Sequence, residues 1–381
     1  MRIALFTDGI YPYVIGGMQK HSFYLAKYFA LNKIEVDLYH TAKSSSAIGN
    51  FSCFSDDEKK YITSVFVDYP AVGEVPGHYI REMYTYSKAI FEQFEKQKLV
   101  DFIYVQGLCG MYLLENKNKT TVPVGINFHG LEMFQQTANL KSKLEQYLFK
   151  RPVTSSMQNA DIVFSLGGKL SDIIRSRGVA NNKIIQIPIG IDETWIRTLP
   201  VKTNAKRKFV FVGRYERRKG IEELTQVIKQ LLPSNNFTFE FVGDIADDKR
   251  IISKNVFYHG SISDVSKIKS ILAEADVLVC PSYSEGMPTV ILEAMASGLA
   301  IIASRVGAVE EEVDATNGLL ISPGNKEELK QAINRLIQLP SSDFELLKNN
   351  SINKIKNNFL WNKIILKTID EINKAIDAND Y

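Results

Sequence analysis

Cysteine is scarce in this chain. Cys53, Cys109 and Cys280 are spread over 381 residues with no Cys-x-x-Cys spacing. An odd and scattered set argues against a disulfide framework or a structural zinc site, and it suits a reducing compartment. Excess charge of one sign is also lacking. The 46 Lys and Arg nearly cancel the 43 Asp and Glu, leaving a formal net charge of +3, so bulk electrostatics call for no nucleic-acid partner. No apolar run approaches the ~20 residues needed to cross a bilayer. That excludes a spanning helix and leaves surface attachment open. Met1-Arg2-Ile3-Ala4-Leu5-Phe6-Thr7-Asp8 reads as a strand, with no small-residue cleavage site following a long apolar segment, so no signal peptide is expected. The expected location is the cytoplasm, with the inner face of the membrane as a further option.

What is present is ordinary globular composition, 45% hydrophobic and 23% charged, at a length that predicts two domains. Strand and helix signals alternate from end to end. In the first half, strands are predicted at residues 3–7, 36–39, 102–106, 122–128 and 162–165, with helices at 18–30 and 78–97. Residues 44–60 are polar and Ser-rich and read as a loop. After a linker at 198–208, strands are predicted at 208–212, 238–242, 256–259, 277–280 and 300–303. Helices are predicted at 221–232, 263–273, 289–296 and 326–339, the last stopped by Pro340. Alternation of this kind predicts parallel sheets with helices on both faces. Ile365, Ile369, Ile372 and Ile376 recur at helical spacing, a stripe expected to pack on the protein itself. Two such α/β halves predict a ligand cleft between them, with ligands at the carboxyl ends of strands.

The most informative motif is Glu285-Gly286-Met287-Pro288-Thr289-Val290-Ile291-Leu292-Glu293, closed by Ala294-Met295-Ala296-Ser297-Gly298. Pro288 suits the first position of a helix. Glu285 then falls in the loop before that helix, and Glu293 about one and a half turns inside it. The free N–H groups of the helix start form an anion site between two carboxylates. Hydroxyl-binding carboxylates flanking a phosphate-binding helix end suit a nucleotide-sugar. Two glutamates at this spacing also occur by chance on many solvated surfaces. The surrounding strand, small-residue turn, Pro and Gly favour the functional reading.

Weaker signals sit at other strand ends. Gly16 and Gly17 open a helix, which lets backbone approach a diphosphate closely; alone they would pass for an ordinary glycine turn. His21 reads as packing. His129-Gly130 follows a strand, where an imidazole could bond a sugar hydroxyl; a core histidine is the plainer reading. Gly213-Arg214 follows another strand, with Lys219-Gly220 just before a helix. Arg214 and Lys219 could neutralise a diphosphate leaving group, whereas Arg217 and Arg218 read better as solvated loop residues. At Ile262, backbone groups could read a base edge.

Taken together, Gly16-Gly17, His129-Gly130, Gly213-Arg214 with Lys219-Gly220, the E-x7-E element and Asn317-Gly318-Leu319-Leu320 with Pro323 resemble glycosyltransferase family 4 over nearly the whole chain. The resemblance implies a GT-B fold: two Rossmann-like, doubly wound parallel-sheet α/β domains facing a central cleft. The expected division is an acceptor-side domain at 1–195, a donor domain at 196–355, and a C-terminal helix at 356–381 packing back toward the first. It implies retaining transfer of a hexosyl-type sugar from a nucleotide diphosphate sugar, UDP favoured, to an acceptor hydroxyl in polysaccharide or glycoconjugate synthesis. The acceptor would be a glycan, a glycolipid or a small molecule. No metal or other cofactor is implied.

Residue by residue, Arg214 and Lys219 would hold the diphosphate, with Gly213 beside it, and Glu293 the ribose. Glu285, with the backbone of Gly286, Met287, Pro288, Thr289 and Val290, would hold the donor sugar and phosphate. His129 would contact that sugar, Gly16 and Gly17 would lie by the phosphates and acceptor, and Ile262 beside the base. Three positions depart from the family pattern: Gly243-Asp244, the run Val306–Glu311 in place of GGxPE, and Gln19 where an acid is common. A nucleotide-sugar 2-epimerase of the same fold and a non-catalytic sugar-binding subunit are the competing expectations.

Overall fold

The computed structural model describes residues 1–42, 51–70, 78–97, 99–137, 146–233 and 237–379. The chain divides into two compact units. One comprises Met1–Phe134, Lys143–Ile189 and Trp361–Tyr381; the other comprises Gln135–Ser142 and Gly190–Leu360. Within the second unit, Ile191 pairs with Leu360 and its N–H donates to the Phe359 carbonyl.

The first unit is built on β1 (Arg2–Phe6), β2 (Glu35–His40), β3 (Ile62–Phe66), β4 (Phe102–Gln106), β5 (Val124–Asn127), β6 (Ile162–Ser165) and β7 (Ile184–Gln186). They form a parallel sheet in the order β3-β2-β1-β4-β5-β6-β7. Every residue of β4, β5 and β6 is buried. That is why these segments read as short apolar runs closed by one polar residue, Gln106, Asn127 or Ser165: both faces of the sheet are covered. The chain winds one way from β1 to β3 and the other way from β4 to β7, so the order reverses between β1 and β4.

Helix Gly17–Leu31 buries His21, Ser22, Leu25, Ala26, Phe29 and Ala30, a stripe at helical spacing. The C-terminal helix Trp361–Asn379 lies on this unit. Trp361 is buried and stacks on Tyr24 and Tyr28, while Ile364, Ile365 and Ile372 enter the same core. Each such side chain contributes about 1.5–3 kcal/mol of burial.

The second unit carries β8 (Arg207–Val212), β9 (Phe237–Val242), β10 (Val256–Tyr258), β11 (Val277–Cys280), β12 (Ala300–Ser304) and β13 (Gly318–Ile321). The order β10-β9-β8-β11-β12-β13 repeats the reversal, here between β8 and β11. Phe209, Phe211, Phe237, Phe239 and Phe241 form much of the core. Asp276, fully buried just before β11, is held by Lys348 Nζ at 2.9 Å, which ties helix Ser341–Asn358 to the sheet.

Several expectations need correction. Of the loop expected at 44–60, residues 44–50 lie outside the described part, but Asp56–Lys59 is a helix. Ser55 and Glu58 form a capping box there. Strand β3 and helices Lys150–Asn159, Gly168–Ser176 and Ser341–Asn358 were not anticipated. Pro340 separates two helices, since the first ends at Gln338 and the next begins at Ser341. Pro288 is the residue before helix Thr289–Ala296, in extended conformation, and not its first turn.

Candidate functional site

In the second unit the chemistry collects where the strand order reverses, at the carboxyl ends of β8 and β11. Ligands of doubly wound sheets bind at such points. After β8 the chain runs through Gly213 and Arg214 to a tight turn, Arg217–Lys219, and then Gly220 starts helix Ile221–Leu231. Gly220 has φ +68, and a Cβ on it would fall 2.0 Å from the Pro281 carbonyl oxygen. Only glycine lets the two strand ends approach this closely. The Tyr283 N–H donates to the Arg218 carbonyl at 2.7 Å and closes the same contact.

This approach brings Lys219 to Glu285. Lys219 Nζ donates to Glu285 Oε1 at 2.6 Å, and Ser282 Oγ donates to the same oxygen at 2.7 Å. Arg218 Nη1 lies 3.6 Å from Oε2. Glu285 is only 6% exposed, so its charge is balanced by partners more than by water. The backbone of this loop is also held. Ala308 N–H donates to the Gly286 carbonyl at 2.8 Å, and Gln135 Nε2 donates to the Glu285 carbonyl at 2.7 Å.

Glu293 lies inside helix Thr289–Ala296 and is buried. Gly286, Met287 and Pro288 are buried as well, whereas Thr289 and Val290 at the helix start are partly exposed. Arg214 is the outermost of the expected cations: its side chain is 81% exposed and pairs with Glu216 at 2.8 Å. Arg217 is not a free loop residue. It grips Glu223 through two nitrogens at 2.8 and 2.6 Å and lies over the Tyr283 ring. Ile262 lines a pocket of about 480 Å³ with His259, Ser261, Ser263, Asp264 and Lys267.

One residue here gave no sequence signal. Glu312 reads as part of an acidic surface run, yet it is fully buried, and neither carboxyl oxygen has a hydrogen-bond partner. Burial first, and then the nearby Glu285 charge, push its pKa well above the usual carboxylate range, which favours the protonated form. The same neighbourhood raises the Cys280 thiol to about 12, mainly through burial.

In the first unit, His129 follows β5 and meets Gln106, the last residue of β4. Gln106 Oε1 accepts from His129 Nε2 at 2.7 Å, and Gln106 Nε2 donates to His21 Nδ1 at 3.0 Å. The two imidazoles stand edge to face, 4.5 Å apart. Burial drives the His129 pKa down to about 3, so the ring is neutral near pH 7. His129 Nδ1 is enclosed and makes no hydrogen bond.

Gly16 and Gly17 open helix Gly17–Leu31. Beside them stands a group that sequence reading passed over: Asp8, whose Oδ1 accepts from Gln19 Nε2 at 2.6 Å. Its signal was available, since it lies just past the carboxyl end of β1. Among the described residues, no three His, Cys, Asp or Glu side chains are placed to hold a metal ion.

Two doubly wound parallel sheets in one chain, each with polar side chains at its point of reversal, define a GT-B protein. Residues 15–195 match the Glycosyltransferase Family 4 model, and residues 206–339 match the Glycosyl transferases group 1 model. The chain belongs to glycosyltransferase family 4. It is 31% identical over 222 residues to the putative teichuronic acid biosynthesis glycosyltransferase TuaC of Bacillus subtilis, a match covering 56% of this chain and 55% of that protein. It is 27% identical over 367 residues to the uncharacterized glycosyltransferase MJ1178 of Methanocaldococcus jannaschii, covering 93% of each. Its fold is similar to that of HepE of Anabaena, solved in complex with UDP, with a TM-score of 0.70 at 16% identity and coverage of 98% and 100%.

Proposed function

We propose that this protein is a retaining glycosyltransferase. It moves a hexosyl group from a UDP-sugar to an acceptor hydroxyl during synthesis of a cell-surface polysaccharide or glycoconjugate, and it needs no metal ion. The observation that carries this reading is the Lys219–Glu285–Ser282 cluster beside the start of helix Thr289–Ala296. A cation and free helix N–H groups adjoin a carboxylate, which suits a diphosphate joined to a polyol. The UDP bound to HepE and the naming of TuaC support the donor and the pathway class respectively.

Each residue then has a role. Lys219 and Arg214, with the N–H groups of Thr289 and Val290, neutralise the leaving diphosphate. Glu285 accepts hydroxyls of the transferred sugar, and Glu293 those of the ribose. Gly213, Gly286, Met287 and Pro288 let backbone lie against the phosphates, and the family resemblance assigns Gly16 and Gly17 to the phosphates and acceptor. The pocket at Ile262 receives the base. His129, neutral and anchored by Gln106, is assigned to the donor sugar by the family resemblance. The bond between the anomeric carbon and the phosphate oxygen breaks, and its electron pair leaves with the diphosphate. The acceptor oxygen bonds the same carbon on the same face and passes its proton to the departing phosphate oxygen. Configuration is thereby retained.

A thermal-shift series with UDP, GDP and ADP tests the donor. Ligand at about 100 times its Kd stabilises by about 2.7 kcal/mol, so UDP should raise Tm and the other two should not. A rise with GDP or ADP alone overturns the uridine assignment, and no rise with any of them overturns the transferase reading. NMR of the anomeric product proton tests retention, and unchanged rates in EDTA test metal independence. Sugar inverted at C2 and formed from donor alone identifies an epimerase instead, and the absence of both transfer and donor hydrolysis identifies a non-catalytic subunit.

A further inference from the structure

Arg218, expected as a solvated loop residue, sits in the middle of a chain of alternating charges after β8. Arg214 Nη2 lies 2.8 Å from Glu216 Oε1, and Arg218 Nε lies 2.9 Å from Glu216 Oε2. The other side of the Arg218 guanidinium faces Glu285, with Nη1 3.6 Å from Oε2. Lys219 Nζ and Ser282 Oγ hold the remaining oxygen, Oε1, at 2.6 and 2.7 Å. The two oxygens of Glu285 thus have different cations. The backbone fixes this division. Lys219 N–H donates to the Glu216 carbonyl at 2.9 Å, and the Arg218 carbonyl accepts from the Tyr283 N–H at 2.7 Å. Arg217 is turned elsewhere, onto Glu223.

Charge balance gives the second cation a purpose. Glu285 is buried, and burying a carboxylate is costly unless a cation or a donor is paired with it. In the structure Lys219 meets most of that need. In the roles above, Lys219 also neutralises the leaving diphosphate, which carries more than one negative charge. A single ammonium cannot balance both groups fully. Arg218 stands ready to hold Glu285 as Lys219 turns to the phosphate. A guanidinium suits the task, because its planar fork keeps Nε on Glu216 while Nη1 faces Glu285. The point charge of a lysine cannot do both.

We propose that Arg218 is a positioning residue for sugar transfer: anchored by Glu216, it holds Oε2 of Glu285, so that the carboxylate stays balanced and aimed at the sugar while Lys219 serves the diphosphate. This rests on the transferase reading above and adds a residue to it. Arg218 acts through Glu285 and touches neither the nucleotide nor the reacting carbon.

The test is calorimetric binding of UDP, UDP-glucose, UDP-galactose and UDP-N-acetylglucosamine to the full chain. At least one sugar nucleotide should bind the wild type. In Arg218→Ala the affinity for UDP should stay unchanged, and that for the sugar nucleotide should fall about tenfold, the loss expected when a buried charged group is deprived of one partner. The Arg218 side chain is 36% exposed, so guanidinium ion from solution can enter the space it leaves and should restore the affinity; urea at the same concentration should not. Arg218→Lys, which keeps the charge and loses the fork, should recover part of it. Glu285→Gln should suffer the same selective loss, and the double variant should lose no more than either single one. Equal losses for UDP and the sugar nucleotide in Arg218→Ala would set this residue on the diphosphate or in the fold, and would overturn the proposal. Additive losses in the double variant, an unchanged sugar-nucleotide affinity, or no rescue by guanidinium overturn it as well. If the wild type binds none of the sugar nucleotides, the UDP-sugar reading falls and this inference with it.

Discussion

Lys219 Nζ and Glu285 Oε1 lie 2.6 Å apart, although 66 residues separate them in sequence. Each comes from the loop at the end of a different central strand, β8 or β11. The pair exists because those strands are neighbours at the reversal of the sheet.

Removing either partner should abolish transfer and spare the fold. Lys219→Ala deletes the cation that neutralises the leaving group, and Glu285→Ala deletes the sugar's acceptor. Loss of one preorganised electrostatic contact costs about 10²–10³ in kcat. Leaving the other charge without its partner costs about 1–3 kcal/mol of stability. Steady-state kinetics and urea melts measure both; near wild-type rates in either variant would falsify the assignment.

Gly220→Ala should be far more damaging than Gly260→Ala, although both glycines have φ near +70. At Gly260 an added Cβ meets nothing within 4 Å, so only the left-handed backbone is penalised, at about 1 kcal/mol. At Gly220 the Cβ also strikes the Pro281 carbonyl, which cannot rotate away. We expect a clearly lower Tm for Gly220→Ala, with reduced activity because Lys219 moves. Equal melting temperatures for the two variants would mean that the strand ends are not held together here.

Glu312 makes stability depend on pH in the alkaline direction. Its folded pKa is raised, so the unfolded chain releases this proton first as pH rises. Burial of Glu312 therefore costs little below the ordinary carboxylate range, and the cost grows as pH climbs from there toward the folded pKa. Glu312→Gln removes that slope. The variant should gain stability over the wild type between pH 5 and 8, read from denaturant midpoints. A gap that stays constant with pH would show that Glu312 is ionised in the fold.

The histidines act with the opposite sign. Burial lowers His129 to about 3 and His40 to about 4. Each is neutral when folded but takes a proton when unfolded below about pH 6.5. Stability should therefore fall as pH drops from 6.5 toward 4, by about 1.4 kcal/mol per pH unit for each histidine. NMR titration should show both rings unprotonated at pH 5. Ring signals that titrate near 6.5 would contradict the burial.

Much of the fold was legible because its strands are buried on both faces. Val277–Cys280 and residues 102–105 are short unbroken apolar runs, and such runs need no tertiary knowledge to be read as strands. Helix Thr289–Ala296 has the predicted bounds, with Glu285 before it and Glu293 inside it. Strand β3 escaped because Thr63 and Ser64, neighbours on an edge strand, are both exposed and polar and blur its pattern. Helix Ser341–Asn358 escaped because its buried face includes Lys348 and Ser351, which look like surface residues until Asp276 and the Leu299 carbonyl are found against them.

The sequence by itself determined the alternation of elements, the E-x7-E motif and the glycines at strand ends, because backbone preference and period are local properties. Only the tertiary structure decided what each polar group meets. It joined Lys219 to Glu285, clamped Gln19 onto Asp8, and left Glu312 buried without a partner. These outcomes depend on which strands are neighbours and on how completely water is excluded. Distant parts of the chain set both.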